Sequence, residues 1–447
     1  MLELNQRLES PDIDNEPLGK NKFVNTFASL RILDFRLLWI ATLCMMGSWQ
    51  MQGIAQGYLA YDLTNSAKIL ALVNAGWALP MLSLTLVGGV VADRFQRKFI
   101  IQISQAAYAL ICLLVAIAIV AEIITWYYLL LGSALQGLFF AFTGPARQAI
   151  IPQLVDKKLV VNAIALNSAA MSSMSLIAPG ISGLLYAVLG PEGVYFTVTG
   201  LQVTAIVLVS IIKKPPSPVI DKENVDVPKK DNRIVSKNGP SSFTNNMVKV
   251  IIKDASLGIR YLKTNNIVLL LLSVMVVTVI FSTPFQFLLP VFVVDIYNLE
   301  SEAFGLLVSA SGLGSLIGSI GVAYIGRWQR GRLVLVGGFI SGISLLLIAI
   351  IPYYLPAIVI MIFLGLGNVA PMALITGLIM ENTENAYRGR MMSMVMFTWG
   401  LIPIGVIPLG ISIDLIGGRI TVILMSFMML TSFSLIYLTQ KRLRSLQ

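Results

Sequence analysis

Long apolar stretches, separated by short polar or charged segments, recur along the whole chain. A stretch of about 20 apolar residues is what an α-helix needs to cross the hydrocarbon core of a bilayer. The clearest cases lie at 100–121, 267–280 and 333–351. The pattern predicts twelve membrane-spanning helices, at 36–61, 69–92, 99–121, 124–146, 159–189, 193–212, 267–294, 303–325, 333–351, 354–380, 391–413 and 418–439.

Polar segments divide these spans into two sets of six. We expect an N-terminal segment at 1–35, a first bundle at 36–212, a linker at 213–266, a second bundle at 267–440 and a tail at 441–447. The first part of the linker, 213–246, is rich in Pro, Lys, Asn and Ser, a composition typical of disorder. Residues 247–266 have apolar positions at helical spacing and basic residues between them. This pattern fits a helix lying on the membrane surface or an ordinary solvated linker helix.

The two sets of spans share short sequence repeats. Asp93-Arg94-Phe95-Gln96-Arg97 after the second span is echoed by Gly326-Arg327-Trp328-Gln329-Arg330 after the eighth, 233 residues later. Gly180-Ile181-Ser182 in the fifth span recurs as Gly410-Ile411-Ser412 in the eleventh, 230 residues later. Two such similar offsets indicate a duplicated six-helix unit, so the predicted fold is an all-α membrane protein of two pseudo-symmetric bundles.

Composition agrees with a membrane location and charge gives an orientation. Of the 447 residues 56% are hydrophobic and only 12% charged, far below the quarter typical of soluble proteins. Of the 32 Lys and Arg residues, all but Lys68 and Arg419 fall on one predicted side of the membrane. The positive-inside rule therefore predicts that both termini are cytoplasmic. The net charge of +10 is explained by this distribution, and no nucleic-acid partner is expected.

Several classes of function are disfavoured. The chain has no histidine, and its two cysteines lie apart in apolar spans, so we expect neither a metal site nor a disulfide framework. Phosphate-binding glycine loops and catalytic triads are absent from the sequence. We therefore expect no enzyme and no cofactor. The first span, rather than a cleaved signal peptide, is expected to direct the chain to the membrane.

The strongest local motif is Gly89-Val90-Val91-Ala92-Asp93-Arg94-Phe95-Gln96-Arg97-Lys98, between spans two and three. It resembles the G-x-x-x-D-R-x-G-R-K signature of the major facilitator superfamily, with Gln96 in place of the second glycine. The resemblance implies the major facilitator fold. It also implies a gate in which Asp93 meets the start of the eleventh span near Arg390 and releases it during transport. We therefore take Gly89, Asp93, Arg94, Arg97, Lys98 and Arg390 as gating candidates; the alternative is a basic turn that only sets topology.

Further stretches are similar to the branch of that superfamily containing enterobactin exporters and macrolide efflux pumps. They are Thr143 to Val155, Gly258 to Lys263 and Arg388 to Ser393. The fifth span carries Pro179, Gly180 and Gly183, which partly match the glycine–proline motif of drug antiporters and predict either a functional bend or an ordinary helix kink.

Two features leave the energy source open. The arginine that drug antiporters carry in span four is replaced by Ser133, and no acid lies near the middle of any predicted span. The nearest acids are Asp62 and Asp295, at the outer ends of spans one and seven. Each is a candidate proton site or simply a charge at a helix end.

Polar and aromatic residues within the spans are candidates for a substrate cavity. They are Gln50, Gln52, Gln56, Asn74, Trp77, Gln136, Gln286, Asn368, Thr398 and Trp399. Each could instead form a helix–helix hydrogen bond. A neutral lining of this kind suits a small amphipathic or aromatic molecule.

Together these features predict a monomeric secondary transporter of the bacterial cytoplasmic membrane that exports small amphipathic molecules of drug or siderophore type, with protons as the coupling ion. The alternatives are an importer or facilitator with the same fold, and a non-transporting membrane sensor or scaffold.

Overall fold

The structure of the protein is a computed structural model. It describes residues 27–84, 96–213, 261–262, 265–325, 329–384 and 387–444. The gating candidates Gly89, Asp93 and Arg94, and most of the predicted surface helix at 247–266, lie outside the described residues. Arg390 lies in a helix, but its side chain is not among those described.

The described residues are helical, with short turns between the helices. Ten helices are long and apolar enough to cross a membrane. One of them, Val160–Ile211, contains two spans, because Gly190 adopts φ +71° and ψ 176° and ends the first helical run. A further helix, Leu33–Thr64, is 32 residues long. With Val160–Ile211 counted as two spans and Leu33–Thr64 added, the described residues form twelve helical segments long enough to span a membrane. This agrees with the predicted fold.

We number these segments in chain order. They are α1 Leu33–Thr64, α2 Ala67–Leu84, α3 Arg97–Val120, α4 Trp126–Leu154, α5 160–189, α6 191–211, α7 Asn266–Ile296, α8 Ser301–Ile325, α9 Arg330–Ile350, α10 Tyr354–Glu381, α11 388–416 and α12 Gly418–Thr439. Short helical turns at Ala28–Arg31 and Lys441–Arg444 flank the bundle.

Three spans predicted as continuous helices are interrupted, and a proline follows each interruption. α2 has a turn at 76–77 before Pro80, α7 breaks at Ser282 before Pro284, and α11 breaks at 400–401 before Pro403. A proline ring cannot donate a hydrogen bond and clashes with the carbonyl four residues earlier, so the helix ends and restarts. In contrast, α5 keeps helical backbone angles through Pro179.

Because successive helices run in opposite directions, the helix ends form two faces. The basic face carries the starts of α1, α3, α5, α7, α9 and α11, beside the Lys- and Arg-rich segments. The distal face carries the turns α1–α2, α3–α4, α5–α6, α7–α8, α9–α10 and α11–α12.

Packing within each half is extensive. In the first half, α1 and α3 pack against the long α5–α6 pair, and α4 packs against α3, α2, α1 and α5. In the second half, α10 packs against α8, α9, α7 and α11, and α12 against α9. Glycines permit the closest approaches: a Cβ on Gly365 would lie 1.9 Å from the carbonyl oxygen of Ser311. The bundle limits at 36–212 and 267–440 stay predictions, since much of the segment between them is not described.

Candidate functional site

The described contacts between the two halves lie mainly in two helix pairs, α2 with α11 and α5 with α8. Smaller sets of contacts join α7 to α1 and α2, and α8 to α1. The two main pairs also touch further from the distal face, where Gly400 faces Leu82 and Gly312 faces Ser175. We call the contacts between these helices the distal seam.

Asp414, near the end of α11, makes the most polar contact of the distal seam. Its carboxylate accepts hydrogen bonds from the Ser66 hydroxyl (2.7 Å) and from the backbone N–H groups of Ala67 (2.7 Å) and Lys68 (3.1 Å). Those amides begin α2 and have no partner within their own helix. The positive end of the helix dipole also favours a carboxylate there. Asp414 of the second half therefore caps a helix of the first half.

Two further hydrogen bonds cross the distal seam. The Tyr61 hydroxyl of α1 donates to the Asp295 carboxylate of α7 at 2.6 Å. The Asn74 side-chain amide of α2 donates to the backbone carbonyl of Phe287 at 2.9 Å. Asp62, the other predicted proton site, is exposed at the end of α1.

Glycines of the repeated Gly-Ile-Ser motif bring the helices of the distal seam together. A Cβ on Gly410 would lie 2.6 Å from the carbonyl oxygen of Ala67 in α2. On the α5–α8 pair, a Cβ on Gly183 would lie 2.6 Å from the carbonyl oxygen of Ser301, and one on Gly180 would lie 3.0 Å from the Ser309 hydroxyl. The repeat thus occupies equivalent helix pairs on the two sides of the molecule. Gly180 and Gly183, predicted from a bend motif, contact the other half.

An aromatic cluster lies in the first half, between α1, α2 and α4. The rings of Trp49 and Phe140 are stacked at 6.1 Å between centroids, and Trp77 meets Phe140 edge-to-face at 6.3 Å. Trp49 keeps 41% of its surface exposed and Phe140 37%. Gln136 lies one turn along α4 from Phe140 and is half-buried. Aromatic faces with a nearby amide suit an amphipathic ligand.

Other predicted cavity residues make internal contacts instead. Gln52 is buried, donates to Gln56 and accepts from the Tyr108 hydroxyl. These bonds stabilise packing inside the first half, so Gln52 and Gln56 do not join the aromatic cluster. Gln50 is half-buried on α1.

In the second half the pattern is similar. Gln286 donates to the Ser311 hydroxyl at 2.9 Å, and Asn368 accepts from Ser282 and Ser341 at 2.5 and 3.0 Å. The Thr398 hydroxyl donates to the carbonyl of Val395 in its own helix. Trp399, beside the break in α11, remains 37% exposed. Of these, Trp399 alone keeps an exposed face.

Of the gating candidates, two have described side chains. Lys98 at the start of α3 donates to the carbonyl oxygens of Ser210 (2.8 Å) and Ile212 (2.6 Å) at the end of α6. A cation at these terminal carbonyls complements the negative end of the helix dipole. This contact lies within the first half. Arg97 begins α3.

Residues that sequence reasoning did not single out also shape the site. Asp414 and Tyr61 form contacts with partners more than 200 positions away in the chain, so no local pattern reveals them. Arg147 in α4 lies within the stretch Thr143 to Val155, and its sequence position alone does not indicate that it is buried. It is buried, with 6% of its surface exposed.

These features define the class: a multi-pass α-helical membrane protein of two six-helix halves that meet along a seam, with an aromatic cluster in the first half. Comparison with known proteins gives the family. The sequence model of the Major Facilitator Superfamily matches residues 38–408, so the chain belongs to that superfamily of membrane transporters.

Its relatives include proteins named as exporters or efflux pumps. The chain is 24% identical over 383 residues to the staphyloferrin A transporter of Staphylococcus aureus, covering 84% of this chain and 88% of that protein. It is 23% identical over 390 residues to macrolide efflux protein A of Streptococcus pyogenes, covering 86% and 90%. A shorter match, 30% identical over 189 residues, is to an enterobactin exporter of Shigella boydii, with 41% and 44% covered.

Solved structures support the fold. A bacterial homologue of the human lysosomal transporter Spinster matches with a TM-score of 0.67 at 14% identity, covering 95% of this chain and 98% of that one. A POT family transporter matches with a TM-score of 0.70 at 11% identity, covering 92% and 96%.

Proposed function

We propose that this protein exports small amphipathic molecules across the bacterial cytoplasmic membrane by alternating access. In this proposal the basic face is cytoplasmic, as the distribution of Lys and Arg favours. The two halves rock about a central site, so that the distal seam and the basic face open in turn.

The observation that carries the proposal is the set of contacts that join the halves at the distal face, among the residues that the structure describes. Hydrogen bonds and glycine contacts join them at the distal face, from the Asp414 cap to the Gly183–Ser301 approach. With cytoplasm on the basic side, these contacts close the exterior side, and in the proposed cycle the cargo is loaded from the cytoplasm while they hold. The aromatic cluster of Trp49, Trp77 and Phe140 supplies contact surface for an aromatic or amphipathic molecule.

Export is favoured over import by the relatives. The macrolide efflux protein and the enterobactin exporter are named for movement out of the cell. Cargo of drug or siderophore type is therefore the first class to test.

We place proton coupling at Asp295 rather than at Asp62. Asp295 accepts the Tyr61 hydroxyl across the distal seam, and this bond must break when the distal face opens. Asp62 is exposed and joins no described contact between the halves. In this proposal a proton from the exterior binds Asp295 while the distal face is open and leaves toward the cytoplasm after that face has closed. The ionised carboxylate then accepts the Tyr61 hydroxyl again.

The test uses membrane vesicles of both orientations and radiolabelled erythromycin as a macrolide, with staphyloferrin A as a second cargo. We expect accumulation in energised everted vesicles and its loss with a protonophore. Asp295→Asn should abolish the response to the proton gradient, whereas Asp62→Asn should keep it. Accumulation only in right-side-out vesicles would instead establish an importer.

A further inference from the structure

Arg147 occupies an unusual position near the basic end of α4. Among the residues that the structure describes, it is the only charged side chain with less than a tenth of its surface exposed. Its Nε and Nη1 atoms have no hydrogen-bond acceptor. An arginine stays protonated in proteins, so it cannot avoid this cost by losing its charge. Burying an unpaired charge costs several kcal/mol, so such a group calls for an explanation.

Among the described side chains, Arg147 and Asn167 bring two donors to one weak acceptor. The Nη2 atom of Arg147 lies 3.8 Å from the Met171 sulfur of α5, and the side-chain amide nitrogen of Asn167 lies 3.8 Å from the same sulfur. Two donors therefore converge on a thioether, which is a weak acceptor. Asn167 is itself buried, with 9% exposed. An oxyanion in this position would satisfy both donors far better than the sulfur does.

The position of Arg147 along α4 relates it to the aromatic cluster. Seven residues separate it from Phe140, which is about two turns, or ~10 Å along the helix axis. The two side chains therefore emerge from nearly the same face of α4, within about 20°. Gln136, eleven residues before Arg147, lies on that face too. Of Gln136, Phe140 and Arg147 on this face of α4, Arg147 lies nearest the basic face.

We propose that Arg147 and Asn167 form an anion subsite that binds a carboxylate or phosphate group of the transported molecule, while its apolar part contacts Trp49 and Phe140. This inference rests on the proposed transport function and narrows its cargo to amphipathic molecules with an acidic group. The same oxyanion chemistry is available from an acidic side chain of this chain in another conformation, and the test separates the two sources.

The test is equilibrium binding to the purified full-length protein in nanodiscs. The probes are dansylglycine, which carries a carboxylate, and dansylglycinamide, its neutral counterpart. The wild-type protein should bind dansylglycine about tenfold or more tightly than the amide, because a charge-assisted hydrogen bond contributes this much. Arg147→Gln should remove that preference and leave affinity for the amide unchanged. Arg147→Lys should retain part of it, because the charge remains without the planar fork.

Arg36→Gln is the matched control, since it removes an exposed cation from the same half near the basic face. It should bind as the wild type does. Thermal unfolding of each variant checks that Arg147→Gln still folds. A wild-type protein with no preference for the carboxylate would overturn the subsite, and so would a preference that survives in Arg147→Gln. An equal loss of affinity for both probes in Arg147→Gln would overturn the subsite and indicate that Arg147 pairs with an acidic side chain of this chain instead.

Equilibrium binding requires neither an ion gradient nor a direction of transport. The binding experiment and the vesicle experiment therefore test the anion subsite and the export function independently. Vesicles that do not export, from protein that still prefers the carboxylate, would reject the proposed function alone. Vesicles that export normally, from protein without the preference, would reject the subsite alone.

Discussion

At the scale of single residues, Asp414 has the largest set of polar contacts between the halves. Three hydrogen bonds join its carboxylate to the first turn of α2. The acceptor is charged and the donors lie at a helix N-terminus, so both hydrogen bonding and the helix dipole favour the contact. The distal seam therefore depends on the charge of one side chain.

Removing that charge should expose the start of α2. Asp414→Ala is expected to speed hydrogen–deuterium exchange of the amides at residues 67–70 by about tenfold or more, because a hydrogen bond to a charged acceptor contributes about 1.5–3 kcal/mol. Asp414→Asn should have a smaller effect, since its amide oxygen still accepts. Asp62→Asn, which removes a nearby charge without a contact between halves, should exchange like the wild type. Unchanged protection in Asp414→Ala would exclude the cap.

Sequence reasoning found few of these individual contacts. Asp414 lies one position beyond the predicted end of span eleven, and its partners are about 350 positions earlier. A single sequence contains no local signal for such a pair. Most of the predicted cavity amides, such as Gln52 and Asn368, proved to bond within their own half, as the alternative interpretation allowed.

At the scale of helices, glycines allow two helices to approach closely, and the Gly-Ile-Ser repeat lies in the two helix pairs that make most of the described contacts between the halves. Gly410 faces α2, and Gly180 with Gly183 faces α8. The spanning helices could be predicted from the apolar pattern, because a helix that crosses the bilayer requires about 20 consecutive apolar residues. The interruptions in α2, α7 and α11 were missed. Their prolines are visible in the sequence, but Pro179 in α5 shows that a proline does not always break a membrane helix.

Substitution of these glycines should distinguish a change in the distance between the halves from a loss of stability within one half. Gly183→Ala places a Cβ against the backbone of Ser301, so it should push α5 and α8 apart at the distal face at a cost of about 1–3 kcal/mol. Spin labels at Val188 and Leu299 should report a longer distance. Gly365→Ala, inside the second half, should mainly lower the Tm.

Gly200→Ala provides the control, because a Cβ there would meet nothing within 4 Å. It should leave both the label distance and the Tm near the wild-type values. A Gly183→Ala variant with the wild-type distance would show that α5 and α8 tolerate the methyl group without moving.

At the scale of the whole molecule, the contacts among the described residues close the distal face. The sequence predicted an all-α membrane protein of the major facilitator fold, and the fold and the family match confirm this. That the two halves arose by duplication stays a prediction. The sequence did not predict which face is closed, because conformation depends on the sum of many weak contacts between distant segments. The assignment of the basic face to the cytoplasm remains a prediction from charge.

In the proposed transport cycle, the distal face and the basic face open reciprocally. The most direct measurement is a pair of spin-label distances in a background carrying Cys44→Ser and Cys112→Ala. One pair, Val188 with Leu299, spans the distal face. The other, Val161 at the start of α5 with Tyr324 at the end of α8, spans the basic face, where both positions are exposed.

Double electron–electron resonance is recorded for both pairs in the wild type and in Asp414→Ala, which removes the acceptor of three hydrogen bonds of the distal seam. We expect Asp414→Ala to lengthen the Val188–Leu299 distance and to shorten the Val161–Tyr324 distance together. A variant in which the distal distance lengthens while the basic distance stays fixed, or in which neither distance changes, would contradict alternating access in this protein.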